Sequence, residues 1–558
     1  MTHVITQNCC KDASCVPVCP VDCIRPVGAA GDFTGTEMLY IDPMACIDCG
    51  ACLDECPVDA IYAAEDLPSE LQRFREINAS YFERHPLEAN YQPAPAEHKS
   101  LEPGSLRVAI VGAGPAGCYT ATELLRFGGV EVNLFERLPT PFGLIRAGVA
   151  PDHQQTKSVV DMFEEAFVNE RFGCYLNVHV GRDVTHDDLL AHHHAVVYAF
   201  GASRSRDLAI PGEDLPGSYA AADFVGWYNG HPDHTQDSFD LSGRRAVVIG
   251  NGNVALDVAR VLLMAPAELA RTDIAEHALK ALSASNIREV VVLGRRAPRD
   301  AAFSVGEFLA LRHLPGIDVI VDSADLSSTA TDDVEVRLKL EIAREYRARA
   351  PVPDNKRVVF RFMASPAEII GVDRVEALRI VHNRFGRRGT LVSGDSGRDS
   401  ELIETSLILR SIGYRGSVID GLPFDAAAGT VPNDHGRVVG GDGRPIPGVY
   451  VTGWIKRGPR GVIGTNRTCA EETVSKLWED LDEALLTRDV KEQVAFEELL
   501  RQRGVERLGW DGWRAIDAAE RQRGRAASRP RIKFVNVAEM IAAAESVEAS
   551  RNVSLQEG

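Results

Sequence analysis

The stretch from Arg107 to Glu136 constrains the chain more than any other. It reads RVAIVGAGPAGCYTATELLRFGGVEVNLFE. Residues 108–111 are a short apolar run suited to a strand, and Gly112, Ala113, Gly114 and Gly117 lie in a G-x-G-x-x-G turn. Residues 118–127 have a helical pattern, and residues 130–135 are a second strand that ends at Glu136, nineteen positions after the last glycine. Each part has a task. The glycines allow a tight turn and close backbone approach, the helix N-terminus offers unpaired N–H groups to a pyrophosphate, and the acid can accept from a ribose hydroxyl. An acid at that place suits a free ribose hydroxyl, so this cradle is expected to take FAD or NAD.

A second cradle starts at Arg245. Residues 246–249 form the strand and Gly250-Asn251-Gly252-Asn253-Val254-Ala255 the turn. Residues 255–264 form the helix, and the next strand, 289–293, ends at Gly294-Arg295-Arg296 rather than at an acid. Guanidinium forks match phosphate oxygens, so Arg295 and Arg296 point to a 2′-phosphate and hence to NADP(H).

Nine of the 12 cysteines fall in the first 56 residues. Cys46-x2-Cys49-x2-Cys52-x3-Cys56-Pro57 has the spacing of a bacterial iron–sulfur run, in which the fourth cysteine serves the other cluster. A degenerate copy, Cys9-x2-Asp12-x2-Cys15-x3-Cys19-Pro20, precedes it. By the crossover rule Cys19 joins Cys46, Cys49 and Cys52 around one [4Fe–4S] cluster, and Cys56 joins Cys9 and Cys15 around the other. That second site holds [3Fe–4S], or [4Fe–4S] if Asp12 or Cys10 supplies a fourth ligand. Cys23 is left as a non-ligand beside a cluster, and Cys118, Cys174 and Cys469 as ordinary small buried residues.

Between residues 66 and 104 the cysteines stop and prolines accumulate, which reads as a semi-extended tether with one short helix near 70–83. Residues 138–154, rich in turn formers, follow the ribose-binding acid directly, and a loop of that length in a compact domain is usually functional. Residues 192–194, three histidines in a row, point in different directions and suit a strand entrance better than a metal. Late in the chain, Gly448-VYVTGWIKRGPRGVIGTN-Arg467 supplies a strand, a Gly-rich loop and a helix start, as expected if the first cradle's domain resumes after an insertion. Trp454 there can cover a flat ring system.

The composition, 45% hydrophobic and 25% charged, is that of a globular protein, and the formal charge of −19 argues against general nucleic-acid binding. No apolar run approaches the roughly 20 residues of a membrane span, and the N-terminus lacks a signal pattern, so a cytoplasmic location is expected. The fold class expected is multi-domain α/β and α+β. A two-cluster ferredoxin-like head (1–65) and the tether (66–104) precede a first Rossmann-like domain (105–244 and 421–558, with a helical tail) interrupted by a second (245–420).

Residues 1 to about 65 resemble the bacterial seven-iron and eight-iron ferredoxins. On the motifs IVGAGPAGCYTA, FGLIRAGVAPDH, VIGNGNVALDVAR, GRRAP, TGWIKRGPRGVIGTN and GRAASRPRIKF, residues 105–558 resemble the adrenodoxin-reductase type of ferredoxin–NADP reductase. The whole chain is similar to the ferredoxin-fused reductases of actinobacteria. The resemblance implies FAD contacts at Ala113, Glu136, Leu144, Val180, Trp454, Gly461, Val462 and Ile463. It implies NADP contacts at Asn251, Gly252, Asn253, Val254, Arg295, Arg296, Glu307 and Gly461. It places His153 and Glu307, the catalytic candidates, close to the nicotinamide.

The expected activity is transfer of electrons between NADPH and a ferredoxin or another one-electron acceptor. Nicotinamide exchanges electron pairs and an iron–sulfur cluster accepts one, so a flavin has to stand between them. Two other readings stay open: an electron-entry subunit resembling the small subunit of glutamate synthase, and a non-enzymatic redox sensor. The oligomeric state is not readable from the sequence.

Overall fold

The computed structural model describes residues 2–26, 38–87, 100–323, 325–385, 391–394 and 400–545. The head pairs His3–Ile5 with Ile61–Ala63 and Ile24–Arg25 with Tyr40–Ile41, both antiparallel. Strands this short cannot hold together unaided. They are tied by the helix Arg73–Phe82, which buries Phe74, Ile77 and Tyr81 against them. The buried amide of Asn78 accepts from the N–H groups of Ile5 and Ile41 and donates to the carbonyl of Ile5. The expected tether therefore differs in its first part: residues 66–87 carry the helix, but as a packed piece of the head. Its apolar spacing is that of a core face, which proline counting did not reveal. Residues 88–99 lie outside the described residues.

The first cradle sits in a seven-stranded sheet. Pro445–Val451, Ala195–Tyr198, Leu106–Val111, Val130–Glu136 and Phe172–Leu176 run parallel, and two short antiparallel strands extend the edge beyond Pro445–Val451. Placing Pro445–Val451 beside Ala195–Tyr198 returns the chain to this sheet after some 250 residues spent elsewhere. The helix Thr465–Asp482 then packs on the cradle helix Pro115–Leu125, and a Cβ on Gly453 would come within 2.5 Å of Ala116.

The second cradle sits in a six-stranded, all-parallel sheet in the order Ser218–Ala220, Leu407–Arg410, Arg245–Ile249, Glu289–Leu293, Lys356–Arg361, Ile317–Asp322. The chain crosses between the two sheets where Arg204–Ser205 pairs with Tyr414–Arg415. The boundaries expected at 245 and 420 thus move to about 204 and 415. Residues 218–229 supply an edge strand and a helix to the second sheet, and no local motif marks them, because edge pairing is chosen by the partner strand.

The tail joins these units. Arg146 meets buried Glu520 at 2.5 Å, and Arg529 donates to the carbonyl of Thr272. Lys157, from the segment after the first cradle, and Lys533, from the tail, both meet buried Asp273, at 2.8 and 2.9 Å. Among the described residues no helix is long and apolar enough to cross a membrane. Replacing Asp273 with Ala should cost about 3–5 kcal/mol, because it leaves two ammonium groups buried without their anion. Denaturant unfolding followed by tryptophan fluorescence measures the loss.

Candidate functional site

The two glycine turns are built alike, and each glycine has its own steric reason. Gly112 has φ 108°, and a Cβ on it would press on the Ala199 carbonyl at 2.7 Å. A Cβ on Gly117 would collide with the Gly112 carbonyl at 1.9 Å, so the helix can approach the strand only at a glycine. Gly114, at the N-terminus of Pro115–Leu125, and Gly252, at that of Asn253–Leu263, would meet nothing within 4 Å. Both helix N-termini therefore face open space of the kind a phosphate occupies. Ala255, fully buried, stands where the first cradle has its third glycine.

Glu136 closes the first cradle. Its carboxylate accepts from the N–H groups of Ala113 and Leu138, both at 3.0 Å, while burial pushes its pKa up. Leu144 is 46% exposed, which is unusual for a leucine in a buried loop and marks an open surface beside the cradle. Val180 is buried. The Gly461-Val462-Ile463 loop leads into the helix Thr465–Asp482, with Val462 N–H donating to Thr465 Oγ1 at 3.1 Å. Trp454 stacks on Tyr414 with ring centroids 5.9 Å apart, so two aromatic planes meet where the chain crosses between sheets.

In the second cradle, Asn253 Oδ1 accepts from Ser304 N–H at 2.8 Å, and Ser304 caps the helix Val305–Ala310 by accepting from Glu307 N–H. The turn thus fixes the position of Glu307. A Cβ on Gly294 would press on the Asn251 amide at 2.6 Å, and Val254 packs beside the core. Arg295 and Arg296 are exposed, and among the described residues no ion pair engages either. A phosphate can reach both.

His153 and Glu307, from different units, are brought together with Nε2 and Oε2 3.8 Å apart. Between them lies a residue that sequence reasoning missed. Arg260, 2% exposed, lies 2.8 Å from Asp152, 2.7 Å from Asp257, 2.9 Å from Glu307 and 2.6 Å from His153 Nε2. Its signal was present as one of two charges, with Asp257 three residues before it, in the otherwise apolar run VALDVARVLL. A guanidinium only donates, so His153 Nε2 must be the acceptor and its ring proton lies on Nδ1. His153, Asp257 and Glu307 are close enough together to hold a metal ion, but Arg260 already supplies the cation at their centre. Burial pushes Asp257 up to about 6. Burial would also raise Glu307 and Asp152, but the Arg260 guanidinium that pairs with both outweighs it and holds them low.

In the head, Cys19, Cys46, Cys49 and Cys52 line one cavity together with Cys23, whose sulfur is 3.4 Å from that of Cys19. Cys9, Cys15 and Cys56 form the other group. Burial pushes Cys9 up to about 11 and raises Cys15, for which the next cause is the charge of Cys9. Backbone N–H groups point at these sulfurs, from Lys11 and Leu39 to Cys9 and from Ala60 to Cys56. Sulfur atoms surrounded by N–H donors suit an anionic cluster. The Asp12 carboxylate is directed elsewhere: it accepts from Tyr119 OH at 2.9 Å and from Ser14 N–H, with Arg467 3.6 Å away. The side chain of Cys10 is buried with the core of the first cradle. Cys118, Cys174 and Cys469 are buried, and the histidines at 192–194 end a short helix, where His192 and His193 bond backbone carbonyls of the preceding turn.

A family model described as pyridine nucleotide-disulphide oxidoreductase matches residues 106–296, and one described as 4Fe-4S binding domain matches residues 39–62. A Mycobacterium tuberculosis protein named probable ferredoxin/ferredoxin--NADP reductase is 48% identical over 562 residues, 98% of this chain and 95% of its own. The NADPH-ferredoxin reductase FprA of the same organism is 45% identical over 78% of this chain and 98% of its own. The solved structure of M. tuberculosis FprA in complex with NADPH matches with a TM-score of 0.74 at 43% identity, covering 79% of this chain and 99% of that one.

Arg260→Leu should make folding sensitive to alkali. A buried carboxylate with a raised pKa favours the folded state at low pH and loses that advantage as pH rises through the folded value. Without the guanidinium, Asp152, Asp257 and Glu307 all move in that direction. The variant should therefore lose more thermal stability relative to the parent at pH 8 than at pH 5, which melting curves across that range measure.

Proposed function

Because the chain belongs to the ferredoxin–NADP reductases that carry a ferredoxin fused ahead of the reductase, we propose the following division of work among its residues. The protein is a flavoprotein oxidoreductase that passes electrons between NADPH and ferredoxin-type iron–sulfur centres. FAD supplies the conversion between a hydride, which carries an electron pair, and single electrons.

In this reading the first cradle holds FAD. Gly112, Gly114 and Gly117 admit its pyrophosphate and Glu136 meets its ribose. Leu144, Val180, Trp454 and the 461–463 loop enclose the rest. The second cradle holds NADP(H), with Asn251, Gly252, Asn253 and Val254 at the pyrophosphate and Arg295 and Arg296 at the 2′-phosphate. The observation that carries the reading is the meeting of His153 with Glu307 through Arg260, between the two cradles. With Nε2 accepting from Arg260 and its proton on Nδ1, His153 is a ring held in place with only Nδ1–H left to donate, so its role is to orient the nicotinamide and exclude water. Glu307 stays anionic and faces the same place.

Cys19, Cys46, Cys49 and Cys52 hold a [4Fe–4S] cluster. Cys9, Cys15 and Cys56 hold the second, which we read as a [3Fe–4S] cluster because the Asp12 carboxylate is engaged by Tyr119 and Arg467.

Three outcomes test this. NADPH added without oxygen should bleach the flavin absorbance. Changing both Arg295 and Arg296 to Ala should raise the Kd for NADPH by roughly 100-fold, about 2.7 kcal/mol, and that for NADH by far less; equal losses reject the phosphate role. EPR of the oxidised protein should show the signal of a three-iron centre, and Asp12→Cys is expected not to convert it into a cubane, because position 12 faces Tyr119.

A further inference from the structure

The head is mounted by the side that carries Cys9 and Cys56. Gly464 N–H donates to the Cys10 carbonyl at 2.8 Å, Ser158 Oγ donates to the Pro57 carbonyl at 3.0 Å, and Val58 and Ala60 are buried in the core of the first cradle. Gly464, at the end of the 461–464 loop, is thereby covered by Lys11 and Asp12.

The other thiolate group faces outward. Cys49 is exposed, and the cavity it shares with Cys19, Cys46 and Cys52 is also lined by Val21 and Ile47, 37% and 59% exposed. Met44, three residues from Ile47, is 91% exposed. An apolar group this open beside redox ligands is what a short-lived protein contact uses. The surrounding sequence, residues 41–59, carries Asp42, Asp48, Asp54, Glu55 and Asp59 and no Lys or Arg. Asp48, Asp54, Glu55 and Asp59 are exposed. Residues 1–65 as a whole hold ten Asp and Glu against Lys11 and Arg25.

We propose that this face is the protein's electron port, with Val21, Met44 and Ile47 at its centre and exposed Asp48, between Ile47 and Cys49 and paired with the cavity residue His3, at its rim. Its partner is a one-electron carrier protein whose apolar contact is ringed by Lys or Arg. The inference rests on the electron-transfer reading above and adds the order of the relay: the Cys9, Cys15 and Cys56 group is inner and the Cys19, Cys46, Cys49 and Cys52 group is outer. Each transfer at the port moves one electron and no atom. NADPH yields two electrons, NADP+ and a proton, so it reduces two carrier molecules in turn. A carrier as acidic as the head itself is repelled here, because like charges across a contact oppose association.

The test uses the full holoprotein and zinc-substituted cytochrome c, a basic carrier that cannot take an electron, so binding is read apart from turnover. Calorimetry should show binding at low salt that weakens about tenfold or more between roughly 20 and 200 mM NaCl. Asp48→Lys should weaken it by about tenfold at low salt, with the visible spectrum of the clusters unchanged. Met44→Lys, a change at a fully open side chain, should weaken it as well. Reduction of ferricyanide by NADPH should stay at the parent's rate in both variants. Binding that ignores both variants, or an acidic [2Fe–2S] ferredoxin binding as tightly as the basic probe, would overturn the port. Intact, salt-sensitive binding in a protein whose flavin NADPH cannot bleach would instead overturn the electron-transfer reading and leave the surface standing.

Discussion

The mounting of the head depends on how closely its backbone can approach the turn before the helix Thr465–Asp482. At residue 464 a Cβ would lie 2.2 Å from the Lys11 carbonyl carbon and 2.3 Å from Asp12 N, so only glycine admits the contact. The approach lets Gly464 donate to Cys10. It also brings Asp12 to Tyr119 on the first cradle helix and to Arg467 one turn further on. A buried carboxylate needs such partners to offset its lost hydration. The same contact that mounts the head therefore also fixes the direction of the Asp12 carboxylate, toward Tyr119 and Arg467.

Where the two dinucleotide units meet, two buried ionic sites tie them together. Arg260 collects Asp152 and His153 from the loop after the first cradle, with Asp257 and Glu307 from its own unit. Asp273 collects Lys157 from that loop and Lys533 from the tail. Replacing such sites with apolar residues is often neutral for stability, so their value lies in geometry. Charge-assisted bonds have definite directions, and a buried charge left unpaired is costly. Between them these two sites fix the register of the units to within a hydrogen bond, which is what holding His153 beside Glu307 requires.

The parts legible in the sequence share one property, that their partners are near in the chain. A strand, a glycine turn and a helix follow one another within 20 residues in each cradle, and the structure forms both with parallel strands paired as the spacing implies. The Cys46 to Cys56 run is similarly self-contained, and its first three thiolates do share a cavity with Cys19. The helix at 73–82 was visible as a helix but not as part of the head, because Asn78 bonds to Ile5 and Ile41 at distances of 73 and 37 residues. The insertion points shifted because the edge strand Ser218–Ala220 is recruited by Leu407–Arg410, nearly 190 residues on.

From the sequence alone follow the fold class, the number of cradles, the thiolate groups and the distinction between an acid-closed and an arginine-closed turn, since each is set by backbone sterics or by ligand spacing over a short span. Tertiary structure alone decided that Arg260 stands between His153 and Glu307, that Asp12 turns toward Tyr119, that Tyr414 stacks on Trp454 and which face of the head looks outward. Those choices depend on which distant side chains packing brings within a few ångströms and on the cost of burying a charge without a partner, and no local pattern of residues encodes either.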